Sequence, residues 1–108
     1  MTSSEYIKYL EKFILQLSQE KFYDAHESLE VIWFPKRFKD DDEIRLIKGF
    51  INAAVSFELI KKGRLEASQK VWKNYLKYEP LIDKVDSNYT SYYKSIILQI
   101  QKTKTSCL

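Results

Sequence analysis

The sequence predicts an all-α protein, a compact bundle of about five helices built from antiparallel helix hairpins. Only two glycines and two prolines occur in 108 residues, so few positions interrupt regular structure. Apolar residues recur every three or four positions over long segments, which is the period of an amphipathic helix. Hydrophobic residues make up 44% of the chain and charged residues 31%, a balance typical of a single globular domain, here residues 1–108.

The first helix is predicted to begin after Thr2. Thr2 and Glu5 have the spacing of a capping box, in which each side chain accepts a hydrogen bond from the other residue's backbone N–H. Apolar residues then follow at helical intervals: Tyr6, Ile7, Leu10, Phe13, Ile14 and Leu17.

The second helix follows a tight turn at residues 18–21. It begins near Phe22 and ends near Trp33 or Phe34, because Pro35 cannot continue a helix. The short connection predicts that the first two helices form an antiparallel hairpin.

The third helix is predicted at residues 43–62 and is the longest element. Residues 35–43 before it change from basic to acidic without an apolar period, so we expect a connecting loop there. Both charge groups complement the dipoles of the helices they adjoin. The helix should stop at Gly63, since glycine is typical of the position after a helix C-terminus.

Two further helices are predicted. The fourth begins near Leu65 and must end before Pro80, because a residue preceding proline disfavours the helical region. The fifth covers about residues 87–103, with Asp86 or Ser87 as its N-cap. Its broad apolar stripe either packs in the core or forms a surface for a homo-oligomer or another partner. That stripe comprises Tyr89, Tyr92, Tyr93, Ile96, Ile97 and Ile100.

The net charge of +3 comes from 18 basic and 15 acidic residues that are mostly interspersed. The basic clusters at residues 36–39 and 61–64 each follow a helix end, where dipole complementarity accounts for them, so nucleic-acid binding is not expected. The single cysteine, Cys107, cannot form a disulfide within the chain. No signal-peptide pattern begins the chain and no apolar run approaches the ~20 residues of a membrane span. We expect a cytoplasmic protein without membrane association.

The segment from Phe22 to Trp33 is the most informative part of the chain. It contains the only histidine, three acidic residues and one of the two tryptophans. Helical spacing places His26, Glu30 and Trp33 on one stripe with apolar neighbours, and we expect this stripe to face the core.

His26 and Glu30 have two open interpretations. They can hydrogen-bond to each other as a buried polar network that fixes how the second and third helices pack. They can also bind a divalent metal, because a zincin helix carries two metal-binding histidines four residues apart, and Glu30 stands at the second position. Asp24 or Glu58 could then add a ligand. Trp33 is either a core residue or a stacking platform.

Catalytic residues are not identified by these patterns. A carboxylate of Glu27 or Glu30 in an apolar pocket could act as a general acid or base. Ser28 lies close to His26 in sequence, but residues two apart on a helix do not face each other, so a serine-hydrolase interpretation is poor. The sequence leaves open whether the protein is an enzyme.

Three segments together resemble a known family. They are residues 22–33 (FYDAHESLEVIW), residues 48–54 (KGFINAA) and residues 62–64 (KGR). They are similar to the DUF309 family, small prokaryotic proteins with a domain of unknown function. Its signature is an aromatic-acid-Ala-His-Glu-x-x-Glu-x-x-Trp helix, a helix opening Gly-hydrophobic-Ile-Gln and a basic-Gly turn. The resemblance covers about residues 5–80 and implies an all-α fold without an established activity.

The resemblance also implies a site. The positions that match the family's polar helix are His26, Glu27, Glu30 and Trp33. Asn52 stands where glutamine is usual, which implies that the third helix presents an amide to the carboxylates of the second. Gly49 matches as well. A glycine inside a helix costs about 1 kcal/mol relative to alanine and is tolerable where another helix approaches, so we expect the second and third helices to cross there.

Three hypotheses of function follow. In the leading one, His26, Glu27, Glu30 and Asn52 line a polar pocket between the second and third helices that binds a small ligand or partner. In the first alternative, the protein is a metal-dependent, hydrolase-like enzyme with a divalent cofactor on His26 and Glu30 and with Glu27 as base. In the second alternative, the C-terminal helix is a protein-interaction module. The cofactor and the partner remain unidentified in each.

Overall fold

The structure, a computed structural model, describes residues 1–107 and contains five α-helices, which confirms the predicted all-α bundle. The helices are α1 (Ser3–Ser18), α2 (Phe22–Trp33), α3 (Asp42–Lys61), α4 (Leu65–Tyr78) and α5 (Thr90–Ser106). Two short 3-10 helices, Phe34–Lys36 and Glu79–Lys84, follow α2 and α4. No helix in the described residues combines the length and apolar character needed to span a membrane.

The hairpin of α1 and α2 forms as predicted. The backbone N–H of Glu5 donates to the Thr2 hydroxyl at 3.2 Å, and the Glu5 carboxylate accepts from the Thr2 N–H, so the capping box is present. The turn between the helices contains Glu20, whose φ of 58° lies in the left-handed region. This conformation is uncommon for a side-chain-bearing residue and reverses the chain within a few positions.

The connection from α2 to α3 is partly helical, which differs from the predicted loop. α2 ends at Trp33, and the chain continues as a 3-10 helix that begins Phe34-Pro35. Proline is tolerated there because the first turn of a helix needs no backbone N–H donor. Asp41 then caps α3 by accepting the Glu43 N–H at 2.7 Å, as its position before an apolar period indicates.

α3 is the central helix, packed against both α2 and α4. Its buried residues surround much of the helix and include Leu46, Ile47, Phe50, Ala53, Ala54 and Phe57. Ser56 meets Ser68 of α4, with their buried hydroxyl oxygens 2.8 Å apart, and each side chain also bonds the other residue's carbonyl. Small residues with mutually satisfied hydroxyls allow α3 and α4 to pack closely without an unpaired polar group.

The two glycines have different roles. Gly63 adopts φ 75° directly after the cap of α3, which confirms the predicted helix stop. The prediction that α2 and α3 cross at Gly49 is wrong. A Cβ built at Gly49 would lie 2.7 Å from Cβ of Tyr78. The element that approaches Gly49 is therefore the end of α4, which returns antiparallel along α3.

The start of α5 was predicted at Asp86 or Ser87, and this is wrong by about three residues, because α5 begins at Thr90. The Ser87 hydroxyl accepts from the Tyr89 N–H at 3.2 Å and donates to Glu43 at 2.9 Å. These bonds hold a separate turn before α5. Ser87 therefore stabilises this turn and is not the N-cap of the helix.

α5 packs against α1 and contributes mainly to the core. Tyr93, Ile96 and Ile100 of its apolar stripe are fully buried. The exposed apolar residue on α5 is Leu98, whose side chain lies outside that stripe and is 67% exposed. The predicted partner surface on this helix stays a prediction.

Candidate functional site

The polar residues of α2 lie at the edge of the core, which differs from the expected inward position. Phe22, Ala25, Leu29 and Ile32 occupy the centre of the buried face. The His26 side chain is 22% exposed and that of Glu30 is 40% exposed. The apolar residues take the innermost positions because burying them is favourable, and this turns the polar pair toward the rim.

His26 and Glu30 form a direct pair. The distance from Nε2 of His26 to Oε1 of Glu30 is 2.6 Å across one helical turn. A carboxylate can only accept, so Nε2 carries the proton in this bond. In the neutral ring Nδ1 is then an acceptor. It is buried and has no hydrogen-bond partner in the described part of the chain.

The outward side of α2 is acidic. Within Phe22–Trp33 the charged residues are Asp24, Glu27 and Glu30, and no lysine or arginine occurs, although the whole chain carries a net charge of +3. Hydrogen bonding and charge from Glu27 raise the pKa of the exposed Tyr23 phenol. The Tyr23 ring stands edge-on to the His26 ring, with centroids 6.0 Å apart.

Asn52 and Trp33 are the other residues predicted to line the pocket. The Asn52 amide donates to the Lys48 carbonyl of its own helix at 2.8 Å, and within residues 1–107 it makes no hydrogen bond to the acids of α2. Trp33 is half-buried against the edge of the core. The pairing of Asn52 with these carboxylates is therefore not formed, and the pocket stays a prediction.

The metal hypothesis is left with His26 and Glu30 as candidate ligands. Glu58, one of the two suggested further ligands, forms an ion pair with Lys62 at 3.1 Å. Across the described residues, no group of three or more His, Cys, Asp or Glu side chains is arranged to hold a metal ion.

Sequence reasoning missed a second polar cluster. The hydroxyls of Tyr6 and Tyr93 are 2.6 Å apart, and the Tyr93 hydroxyl also bonds the Glu43 carboxylate. The Ser87 hydroxyl donates to the same carboxylate oxygen at 2.9 Å. This Tyr6–Tyr93–Glu43–Ser87 network joins α1, α3, α5 and the turn before α5. The sequence signal for this network was the presence of Tyr6 and Tyr93 on two apolar stripes, since a buried tyrosine hydroxyl usually has a hydrogen-bond partner.

Burial sets the protonation of this network. Desolvation is the largest effect on the phenols of Tyr6 and Tyr93, and it raises the pKa of each well above the ordinary tyrosine value. The neighbouring Glu43 carboxylate raises the pKa of both further. Both hydroxyls therefore remain protonated donors wherever the protein is folded.

The comparison with protein families gives one match. The family described as Domain of unknown function (DUF309) matches residues 10–71, which include all of α2 and α3. No curated protein and no solved structure matches the chain.

Proposed function

The chain belongs to the DUF309 family of domains of unknown function, and on that premise we propose that it is a small binding protein. In this proposal α2 takes up a cationic group of a small ligand, with Glu27 and Glu30 supplying charge and His26 supplying a hydrogen-bond acceptor. The observation that carries the proposal is the His26–Glu30 pair. Nε2 of His26 lies 2.6 Å from Oε1 of Glu30, and Nδ1 has no partner.

The unpartnered Nδ1 is the first support. A buried acceptor that lacks a hydrogen bond costs about 1 to 3 kcal/mol. A ligand that donates an N–H to this atom recovers that free energy. The Glu30 carboxylate already fixes the ring, so little further ordering is needed when the ligand binds. Because Nδ1 is shielded from solvent, a neighbouring side chain has to move before the donor reaches it.

The charge on α2 is the second support. Asp24, Glu27 and Glu30 follow one another at intervals of three residues, so they extend about 9 Å along the helix axis and turn by about 120° around it. An extended amine or guanidinium compound can contact two neighbouring carboxylates of this set. Asn52 has a side-chain carbonyl that accepts no hydrogen bond within residues 1–107.

A metal-dependent, hydrolase-like activity is the second candidate, and the same pair favours it. Histidines that bind metals commonly donate their other ring N–H to a carboxylate, as His26 does to Glu30. Nδ1 of His26 would be the ligand and Glu27 the base. The remaining ligands would come from another molecule, for example a second copy of the chain.

The experiment is a thermal-shift comparison of the untagged full chain with His26→Leu, which removes Nδ1. The probes are agmatine and spermidine as cationic N–H donors, and ZnCl2 and MnCl2 as metals. We expect the amines to raise the melting temperature of the wild-type chain, because a ligand that binds only the folded state stabilises it. We expect the shift to disappear in His26→Leu.

Matched variants separate the site from general charge effects. Glu30→Gln should reduce the amine shift, whereas Glu11→Gln, on the exposed face of α1, should leave it unchanged. A shift with the metals alone that is lost in His26→Leu favours the metal-dependent candidate. Equal amine shifts in wild type and His26→Leu would contradict the binding proposal.

We also propose a cytoplasmic location. The single cysteine cannot pair within the chain, which is typical of proteins in reducing compartments. Cell fractionation checks this, and recovery of the protein with periplasmic or secreted markers would contradict it.

A further inference from the structure

A cavity of about 390 Å³ lies beside the Tyr6–Tyr93–Glu43–Ser87 network, away from the His26–Glu30 pair. Its walls come from the start of α1, the end of α2, the segment that follows α2, the start of α3 and Tyr89. This volume falls within the range of about 300 to 1,000 Å³ typical of small-molecule sites. The cavity is therefore large enough for a compact organic ligand.

Part of the lining is acidic and has a free acceptor. Glu43 and Asp41, both at the start of α3, line the cavity. The bonds that Glu43 accepts from Tyr93 and Ser87 both go to Oε2, and Oε1 accepts none in the described structure. The network thus fixes the Glu43 carboxylate and leaves one oxygen available to a ligand N–H.

The lining also contains basic residues. Lys36 and Lys39 line the cavity from the segment between α2 and α3. Neither forms an ion pair within the described residues, and the Lys36 ammonium lies 5.8 Å from the centroid of the Tyr6 ring. Two ammonium groups without an acidic partner are available to a carboxylate.

The rest of the lining includes aromatic and aliphatic residues. The Tyr6 ring stacks on Tyr89 with centroids 4.2 Å apart, and the Tyr89 hydroxyl is held by Ser3 at 2.9 Å. Ile32 and Ile44 complete the apolar part. A rigid aromatic pair with aliphatic neighbours suits an apolar side chain of a ligand.

We propose that this cavity binds a small zwitterion of the α-amino-acid class with an apolar side chain. Its ammonium group contacts Glu43 and Asp41, its carboxylate contacts Lys36 and Lys39, and its side chain packs near Tyr6. A simple anion would meet two acidic residues, and a simple cation would meet two lysines. Only a ligand that carries both charges is complementary to both groups.

The test is a titration of the isotope-labelled full chain with L-phenylalanine and L-leucine, followed by backbone amide chemical shifts in NMR. N-acetyl-L-phenylalanine, which lacks the ammonium, and L-phenylalanine amide, which lacks the carboxylate, are titrated in parallel. We expect the amino acids to shift amides around Ser3 and Ile44, and we expect each analogue to bind at least about tenfold more weakly.

The double variant Lys36→Gln/Lys39→Gln should weaken binding of the amino acids by about tenfold. The control Lys70→Gln/Lys73→Gln has the same spacing on the exposed face of α4 and should leave binding unchanged. The proposal is overturned if neither amino acid shifts these amides, if either analogue binds as tightly as the zwitterion, or if both double variants weaken binding equally. None of these results bears on His26, so the two sites are tested separately.

Discussion

His26 has one satisfied and one unsatisfied ring nitrogen at the edge of the core. One ring nitrogen is bonded to Glu30 at 2.6 Å, and the other is buried without a partner. Most buried polar atoms in folded proteins have a hydrogen-bond partner, so the unsatisfied nitrogen is the observation on which the proposed binding role rests.

This environment predicts the effect of His26→Leu on stability. The change removes the unpartnered acceptor and leaves the Glu30 carboxylate 40% exposed, where water can solvate it. We expect the free energy of unfolding in urea to stay equal to wild type or to rise by up to about 1 kcal/mol.

The control is Leu29→Ala, a fully buried neighbour on the same helix, which should lose about 2 to 5 kcal/mol. A loss of more than about 2 kcal/mol in His26→Leu would show that the histidine holds the bundle together, as the structural interpretation requires.

At this scale the sequence predicted the His26–Glu30 pair but not the partner of Asn52. Two residues four apart on one helix must meet, whereas a contact between helices depends on their rotation and offset. The Asn52 amide instead donates to the Lys48 carbonyl of its own helix. The contact between Tyr6 and Tyr93 could not be predicted for the same reason, since it joins two helices and 87 positions separate the two residues.

Among the elements, α3 and α4 make the closest approach, and Gly49 lies at that point. An alanine there would place its Cβ 2.7 Å from Cβ of Tyr78, an atom attached directly to the backbone of α4. Relief of this overlap requires the two helices to move apart.

We therefore expect Gly49→Ala to lower the free energy of unfolding by about 1 to 3 kcal/mol, although alanine is the better helix former. The measurement is urea denaturation of a double-mutant cycle with Tyr78→Gly, which removes the opposing Cβ. The cost of Gly49→Ala should be smaller in the Tyr78→Gly background. An equal cost in both backgrounds would contradict the packing explanation.

The helix boundaries could be predicted where a local signal exists. Thr2 with Glu5 and Gly63 each mark a helix end through their own side chain or backbone, and both predictions are confirmed. The start of α5 was missed because Ser87 bonds Glu43 of α3, a partner that no local pattern reveals.

At the scale of the whole molecule, the Tyr6–Tyr93–Glu43–Ser87 network joins α1, α3 and α5, and this has a consequence at alkaline pH. Burial raises the pKa of Tyr6 and Tyr93 in the folded protein, while tyrosines in the unfolded chain ionise near pH 10. The stability that these groups contribute is thus present below about pH 10 and is lost as the pH rises above it.

Burial also raises the pKa of the Cys107 thiol, so a smaller decline in the free energy of unfolding begins at about pH 8.5, and we expect the main fall above about pH 10. Urea denaturation across this range, with tyrosinate absorbance recorded in parallel, checks the prediction. The double variant Tyr6→Phe/Tyr93→Phe should show a shallower decline. If all eight tyrosines ionise near pH 10 while the protein stays folded, the burial of the network is contradicted.

The central claim is that Glu30 holds the His26 ring with the proton on Nε2 and leaves Nδ1 as a free acceptor. Because His26 is the only histidine, its two ring nitrogens can be assigned without ambiguity in a ¹⁵N–¹H correlation spectrum of the untagged protein. For the neutral ring we predict one protonated nitrogen at Nε2 and one unprotonated nitrogen at Nδ1. A ring protonated on Nδ1, or an equal mixture of both tautomers, would contradict the claim.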